Sequence, residues 1–415
     1  MTSPPMITTA TSTEAAAEPA AVVDLAPWPS ARSRRSAIVA QFGGDRADVA
    51  HWALTTADPL ADAVAAAIHS EGGTVRAAFS QGVTDGLASL ADPHPAVAAL
   101  LASTEALPDY ADDELLDHGS APYYTSPMPV HLVSLSAGAL IRVYDSPSIA
   151  NVLATTGRLI DGAERRIRET GQWVATVMLP GALRAGAAGY VATLQVRLLH
   201  AQKRDVARRR GLDEAAFGAP INQVDLARTW MDFTLTSLRA EEQMGFGLTT
   251  TEAATLYRYW WLLAHLLGID ARLVEGLASH DQAARVDELL QAVTGPPIPE
   301  SAQLAAATVA SISSVLHEAL SIPTGLGGKA LSTLARRFHG ETLSDDLGLP
   351  YSATASAALN KAIQATQARR RKLRRDPAKW EAARQHNLSE ARKQLATITE
   401  APEYAGHEAT GRRPG

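Results

Sequence analysis

Cysteine is missing altogether from this 415-residue chain, and its absence closes off a good deal of chemistry. Disulfides, thiolate-bound zinc, iron–sulfur clusters, cysteine nucleophiles and covalent haem attachment through Cys-x-x-Cys-His are all excluded. Any iron centre must rest on histidine, tyrosine, methionine or carboxylate. The absence says nothing about compartment, since a cysteine-free chain tolerates either redox environment. Long apolar runs are absent too: nothing approaches the ~18 consecutive apolar residues of a membrane span. Positive charge is not in excess either, and a net charge of −6 gives no general attraction to nucleic acid or an anionic membrane.

Several common motifs are also lacking. No Gly-x-Gly-x-x-Gly follows a strand, and Gly325-Leu326-Gly327-Gly328-Lys329-Ala330 lacks the first Gly and the Ser/Thr of a P-loop. There is no His-Glu-x-x-His and no Gly-x-Ser-x-Gly elbow, which leaves a hydrolase or kinase little to stand on. Arg34-Arg35 invites an export reading, but the apolar stretch behind it is only Ala37-Ile38-Val39-Ala40. That is well short of the 7–15-residue core of a signal peptide. A cytoplasmic location is the expectation.

What the chain does have is apolar residues in helical order. It is 46% hydrophobic, 20% charged and 5% aromatic, and its Ala and Leu richness favours helices over strands. Helical patterns follow Asp58-Pro59 and fill Val130 to Tyr144, Ser148 to Leu159 and Asp161 to Met178. Others run through the His200 segment and from Asp225 to Ala240. A further helix, Glu252 to Leu267, is capped by Thr250 or Thr251 and apolar on nearly all sides, as a core helix is. Gln303 to Ile322 ends in a Gly-rich turn (Gly325, Gly327, Gly328), and Lys329 to Phe338 and Ala353 to Ala365 continue the pattern.

No alternating strands and no repeat are visible. The fold class expected is therefore all-α, a single large helical domain. Its bounds are residues 45–365, after a disordered N-terminal segment at 1–44. A basic C-terminal helix at 366–399 and a loose tail at 400–415 complete the division. Seven basic residues against Asp376 between Arg369 and Lys379 read as a polyanion or partner contact, or as a solvated terminal helix.

One stretch stands out: Val196-Arg197-Leu198-Leu199-His200-Ala201-Gln202-Lys203-Arg204. Helical spacing puts Arg197, His200 and Arg204 on one face. An imidazole that stays neutral at pH 7 can ligate iron, and guanidinium forks on either side suit haem propionates. Taken alone, His200 reads more readily as a core or boundary histidine satisfied by a backbone carbonyl. His265 is its rival as an axial ligand. In the preceding helix Arg166, Glu169 and Thr170 share a face. They read either as distal donors and acids beside a haem or as an exposed face with an intrahelical Arg–Glu pair.

The whole pattern adds more. Six blocks stand in order: Thr156-Gly157-Arg158-Leu159; Arg166-x-x-Glu169-Thr170; Val196 to Ala201; Gly218-Ala219-Pro220-Ile221-Asn222; Trp260 to Ile269; and Leu347-Gly348-Leu349-Pro350. Together they resemble the latex-clearing protein (rubber oxygenase) and MpaB-type haem oxygenase family over about residues 55–350. The resemblance implies a globin-like helical core holding non-covalent haem b. It also implies His200 as proximal iron ligand, Arg197 and Arg204 beside the propionates, and Arg166 and Thr170 as polar distal residues. Known members use O₂ to cleave carbon–carbon double bonds of isoprenoid chains.

Two departures matter. Rubber-cleaving members have a lysine where this chain has Glu169, and a catalytic acid upstream where it has Ala150 and Asn151. The expectation is thus a haem-dependent oxygenase, a dioxygenase among the possibilities, acting with O₂ on a small apolar isoprenoid or natural product. Glu169 would move a proton, and a nearby acceptor would hold the nitrogen of His200 that does not bind iron. The alternative is a haem- or O₂-binding sensor or carrier without turnover. A helical protein that has lost its cofactor is a third reading. Oligomeric state and electron source are left open.

Overall fold

The structure is a computed structural model that describes residues 27–155, 163–398 and 402–405. Among them every regular element is helical, with no strand. The all-α expectation holds.

Capping shows why the helices start where they do. Asp58 caps the helix Pro59–Glu71, its Oδ1 accepting from the Ala61 amide at 3.3 Å, with Pro59 supplying a preset φ at the first position. The core helix Thr250–Leu266 is capped one residue earlier than expected. Thr249 accepts from the Glu252 amide at 3.2 Å while Glu252 accepts from the Thr249 amide at 2.7 Å, a reciprocal capping box. The Gly-rich turn expected at 325–328 does not form. These glycines lie inside the helix Thr324–His339, whose Gly327 packs on Ser313 of the helix Pro299–Leu320. Close packing between the two helices outweighs the glycines' weak helix preference.

Two expected helices carry a departure that periodicity cannot show. Val130 to Tyr144 becomes Met128–Val133, a π-helical turn Ser134–Leu140 and Ile141–Val143. Asp225 to Ala240 becomes Gln223–Met231, a π turn Asp232–Thr236 and Ser237–Glu241. The two π turns pack against each other. They bring Arg142 onto Asp232 (Nη1–Oδ1 2.5 Å) and Thr236 (2.8 Å) in a buried ion network that also takes in Arg228 and Asp145 (2.9 Å). One extra residue per turn re-aims a side chain in this way.

The ends of the chain also differ from expectation. Part of the segment expected to be disordered is helix, Arg35–Phe42, and Arg32 is buried with Nη2 on Asp225 at 3.2 Å and Nε on the Phe217 carbonyl at 3.0 Å. Residues 1–26 lie outside the described residues. The division expected at 365/366 falls inside one helix, Ala353–Arg374, and a second, Pro377–Ala396, follows it. Its basic cluster is sorted by facing. Arg370 is buried between Phe246 and Trp380 with Nη1 on the Thr125 carbonyl at 2.6 Å. Arg374 pairs with Glu252 at 2.9 Å, while Arg369, Arg371, Lys372, Arg375 and Lys379 are exposed. No described helix is long and apolar enough to cross a membrane.

Candidate haem-binding site

His200 sits on the 22-residue helix Ala188–Arg209, packed between Pro59–Glu71 on one side and Ala163–Val177 on another. The contact with Ala163–Val177 is pinned by Trp173 Nε1 donating to Thr193 Oγ1 at 3.3 Å. The proposed distal residues and His200 therefore stand on neighbouring helices. The expected face of Arg197, His200 and Arg204 exists, but its two arginines serve differently.

Arg197 is taken up by structure. Its Nε donates to Asp58 Oδ2 at 2.7 Å and its Nη2 to Asp58 Oδ1 at 3.0 Å, while Nη1 donates to the Leu266 carbonyl at 3.3 Å. Both side chains are almost wholly buried. The fork expected beside a propionate thus faces a protein carboxylate across the helix interface. Gly268 shows how tight the arrangement is. Its φ is +74°, and a Cβ there would lie 2.7 Å from Arg197 Cζ, so only glycine fits. Gln223 locks the same corner, donating to the Ala57 carbonyl at 2.7 Å and the Gly268 carbonyl at 2.9 Å.

Arg204 is the opposite case. It has no exposed surface, and its Nε donates to Asp62 Oδ1 at 2.6 Å. Among the described residues its buried Nη1 and Nη2 have no hydrogen-bond partner. Two buried guanidinium nitrogens without acceptors are costly unless an anion meets them.

His200 is half-buried, and its pKa is pushed down to about 4, first by burial and then by the Arg204 charge, against the opposing pull of Asp58. The ring is neutral at pH 7, as an iron ligand must be. Its Nδ1 is buried, and the acceptor expected to hold it is not found among the described residues. His265, the rival, lies beside Arg197. Burial and that charge hold its pKa below the usual range, opposed by a hydrogen bond to the Ser103 backbone, and its buried Nε2 has no partner among the described residues.

On Ala163–Val177 the side chains of Arg166, Glu169 and Thr170 are all half-buried. Glu169 Oε1 accepts from Arg165 Nε at 2.7 Å, one helical turn back. An intrahelical pair thus exists and coexists with a half-buried carboxylate. Ala150 is fully buried, with no acid in its place.

Sequence reasoning missed Asp58 and Asp62 as partners of this face, although the Asp-Pro helix start was visible. Nothing marked them as partners, because their pairing joins positions about 140 residues apart. The block Gly218 to Asn222 proves to be a capping loop. A Cβ on Gly218 would lie 2.3 Å from the Leu54 carbonyl oxygen, and Asn222 caps the next helix at the Asp225 amide, 3.0 Å. The Thr156-to-Leu159 block lies outside the described residues.

The described residues define an all-helical fold with a neutral, half-buried imidazole beside a buried guanidinium, and comparison with known proteins narrows the class. Residues 124–368 match the family described as ER-bound oxygenase mpaB/B′/rubber oxygenase, catalytic domain, and the chain belongs to that family. A solved structure of latex clearing protein in its closed state shares the fold with a TM-score of 0.63. At 19% identity it covers 91% of this chain and 97% of its own. No curated protein matches in sequence.

Haem is the cofactor that the family implies. The donor set fits it: a neutral histidine for iron, and two buried guanidinium nitrogens of Arg204 awaiting an anionic oxygen.

Proposed function

We propose that this chain is a haem b-dependent oxygenase that uses O₂ to oxidise or cleave a carbon–carbon double bond in a small apolar isoprenoid or natural product. The observation that carries this reading is Arg204, wholly buried with Nη1 and Nη2 unpartnered, one helical turn from a histidine kept neutral. A buried fork beside a neutral imidazole is what a propionate and an iron together need.

Bound haem would supply the O₂ and redox chemistry. The rest falls to the chain. His200 would hold the iron through a ring nitrogen, and Arg204 would take a propionate. Arg197 keeps the His200 helix in register against Asp58 and Leu266, acting on position and not on the cofactor. Arg166 and Thr170 would donate hydrogen bonds on the distal side. Glu169 would hold or pass a proton there, and the apolar walls, including Trp173, Val174 and Leu198, exclude water.

The reading as a haem-binding sensor or carrier draws support from one contact, the Arg165–Glu169 pair, which ties the carboxylate to its own helix at 2.7 Å. Product formation from alkenes or terpenoids separates the two readings. The first test is the absorption spectrum of the purified protein with a pyridine haemochrome assay and total iron. The expected result is a strong Soret band, about one b-type haem per chain, lost in His200→Ala. A folded protein that takes up no haem on reconstitution, or a His200→Ala variant that loads haem normally, overturns the proposal.

A further inference from the structure

We propose that Asp62 is a positioning residue for the haem: it holds Arg204 by Nε alone, which leaves both terminal nitrogens of the guanidinium set for a propionate. The inference rests on the haem reading above.

Asp58 and Asp62 stand one turn apart at the start of the helix Pro59–Glu71, which packs along the His200 helix. Arg197, Arg204 and Arg208 share a face of that second helix, at i, i+7 and i+11. The two aspartates make rungs between the same two helices, yet the rungs differ in kind. Asp58 closes on Arg197 with both oxygens, taking Nε at 2.7 Å and Nη2 at 3.0 Å. Asp62 gives Arg204 one oxygen, Oδ1 on Nε at 2.6 Å. Its second oxygen lies 3.6 Å from Arg208 Nη1, and Arg208 Nε donates in turn to Glu214 Oε1 at 2.9 Å.

That difference decides what Arg204 can still bind. A guanidinium is a rigid planar fork, so a contact at Nε fixes the direction of its other donors. A side-on pair like that of Arg197 uses up one terminal nitrogen as well. With Nε alone engaged, Nη1 and Nη2 together remain for one further carboxylate, taken end on. Exposure runs the same way. The Asp62 side chain is 25% exposed and that of Arg204 is fully buried, so the free end of the fork is its inner end, one turn past His200. The charges of Asp62, Glu214, Arg204 and Arg208 balance, two against two, and an incoming propionate meets no excess of negative charge.

The test uses the full chain loaded with haem and follows haem transfer to apomyoglobin. Asp62→Ala should speed release about tenfold, because Arg204 loses the anion that sets its plane. Asp62→Asn keeps a neutral oxygen for Nε and should fall between, at about threefold. In an Arg204→Gln background neither substitution should speed release further, since both act through the guanidinium. A general loosening of the helices would instead add in both backgrounds. Wild-type release from either Asp62 variant, or an acceleration that persists in the Arg204→Gln background, overturns the proposal.

Should the chain take up no haem, the functional reading fails by itself, and the Asp62 contact is then read on the haem-free protein by NMR with isotope-labelled arginine. The Nε–H signal lost in Arg204→Gln should exchange slowly with solvent, and should shift and exchange faster in Asp62→Asn. A signal that Asp62→Asn leaves unchanged overturns the contact.

Discussion

Arg197 and Asp58 meet fork to fork, Nε on Oδ2 at 2.7 Å and Nη2 on Oδ1 at 3.0 Å, with the Leu266 carbonyl taking a further N–H. Three segments far apart in sequence meet at this pair. They are the cap of the helix Pro59–Glu71, the His200 helix, and the end of the core helix Thr250–Leu266. The pair sits one turn from His200, so it fixes the height and rotation of the imidazole without touching it.

Breaking that pair from one side should be costly. Asp58→Ala leaves a buried guanidinium without its anion, with an expected loss of about 3–5 kcal/mol of stability. The double variant Asp58→Leu/Arg197→Met should recover most of it, since a well-packed apolar pair avoids the desolvation penalty. Urea denaturation of the three proteins measures both effects. A silent Asp58→Ala would show that the pair does not hold the helices.

Arg204 predicts a different phenotype. Arg204→Gln should fold, because Asp62 is partly exposed and keeps Arg208 at 3.6 Å, but should release haem faster. A charge-assisted hydrogen bond contributes roughly 1.5–3 kcal/mol, hence on the order of ten- to a hundredfold in dissociation rate. Haem transfer to apomyoglobin gives the rate. Arg197→Met should lower stability first and leave haem content per folded molecule unchanged.

Glu169→Gln removes the charge while keeping shape and hydrogen-bonding capacity. Haem loading should match the wild type, and turnover on an alkene substrate should fall at equal haem content. Unchanged turnover would remove Glu169 from the proton path and leave its pairing with Arg165 as its whole role.

The acid limb of stability has an identifiable contributor. His339 has Nε2 2.9 Å from the Ala137 carbonyl, and burial pushes its pKa down to about 4. Between that value and the ordinary histidine range the unfolded chain holds the proton and the folded one does not. Stability must therefore fall as pH falls through that window. In the haem-free protein His200 adds to the loss with the same sign. Substituting His339→Gln keeps a donor for Ala137 and should flatten the slope by up to about 1.4 kcal/mol per pH unit. Denaturation at several pH values from 7 to 4 checks it.

Much of this was readable before any coordinates. Helix content followed from Ala and Leu at helical spacing, and the family from six ordered blocks. His200 stood out because an imidazole inside an apolar run flanked by arginines is uncommon. The errors cluster where local pattern meets tertiary contact. The glycines at 325–328 read as a turn until packing on Ser313 made them helix, and the residues around Arg32 read as disordered until Asp225 buried the guanidinium.

By itself, then, the sequence determined which segments are helical, that no sulfur ligand exists, and that one face carries Arg197, His200 and Arg204. These are short-range facts set by residue type and a 3.6-residue period. Only the tertiary structure decided that the two arginines differ. Arg197 meets Asp58, 139 positions away, while Arg204 keeps two nitrogens unpartnered. Burial and charge pairing depend on which distant elements fold onto a residue, and no period in the chain encodes that.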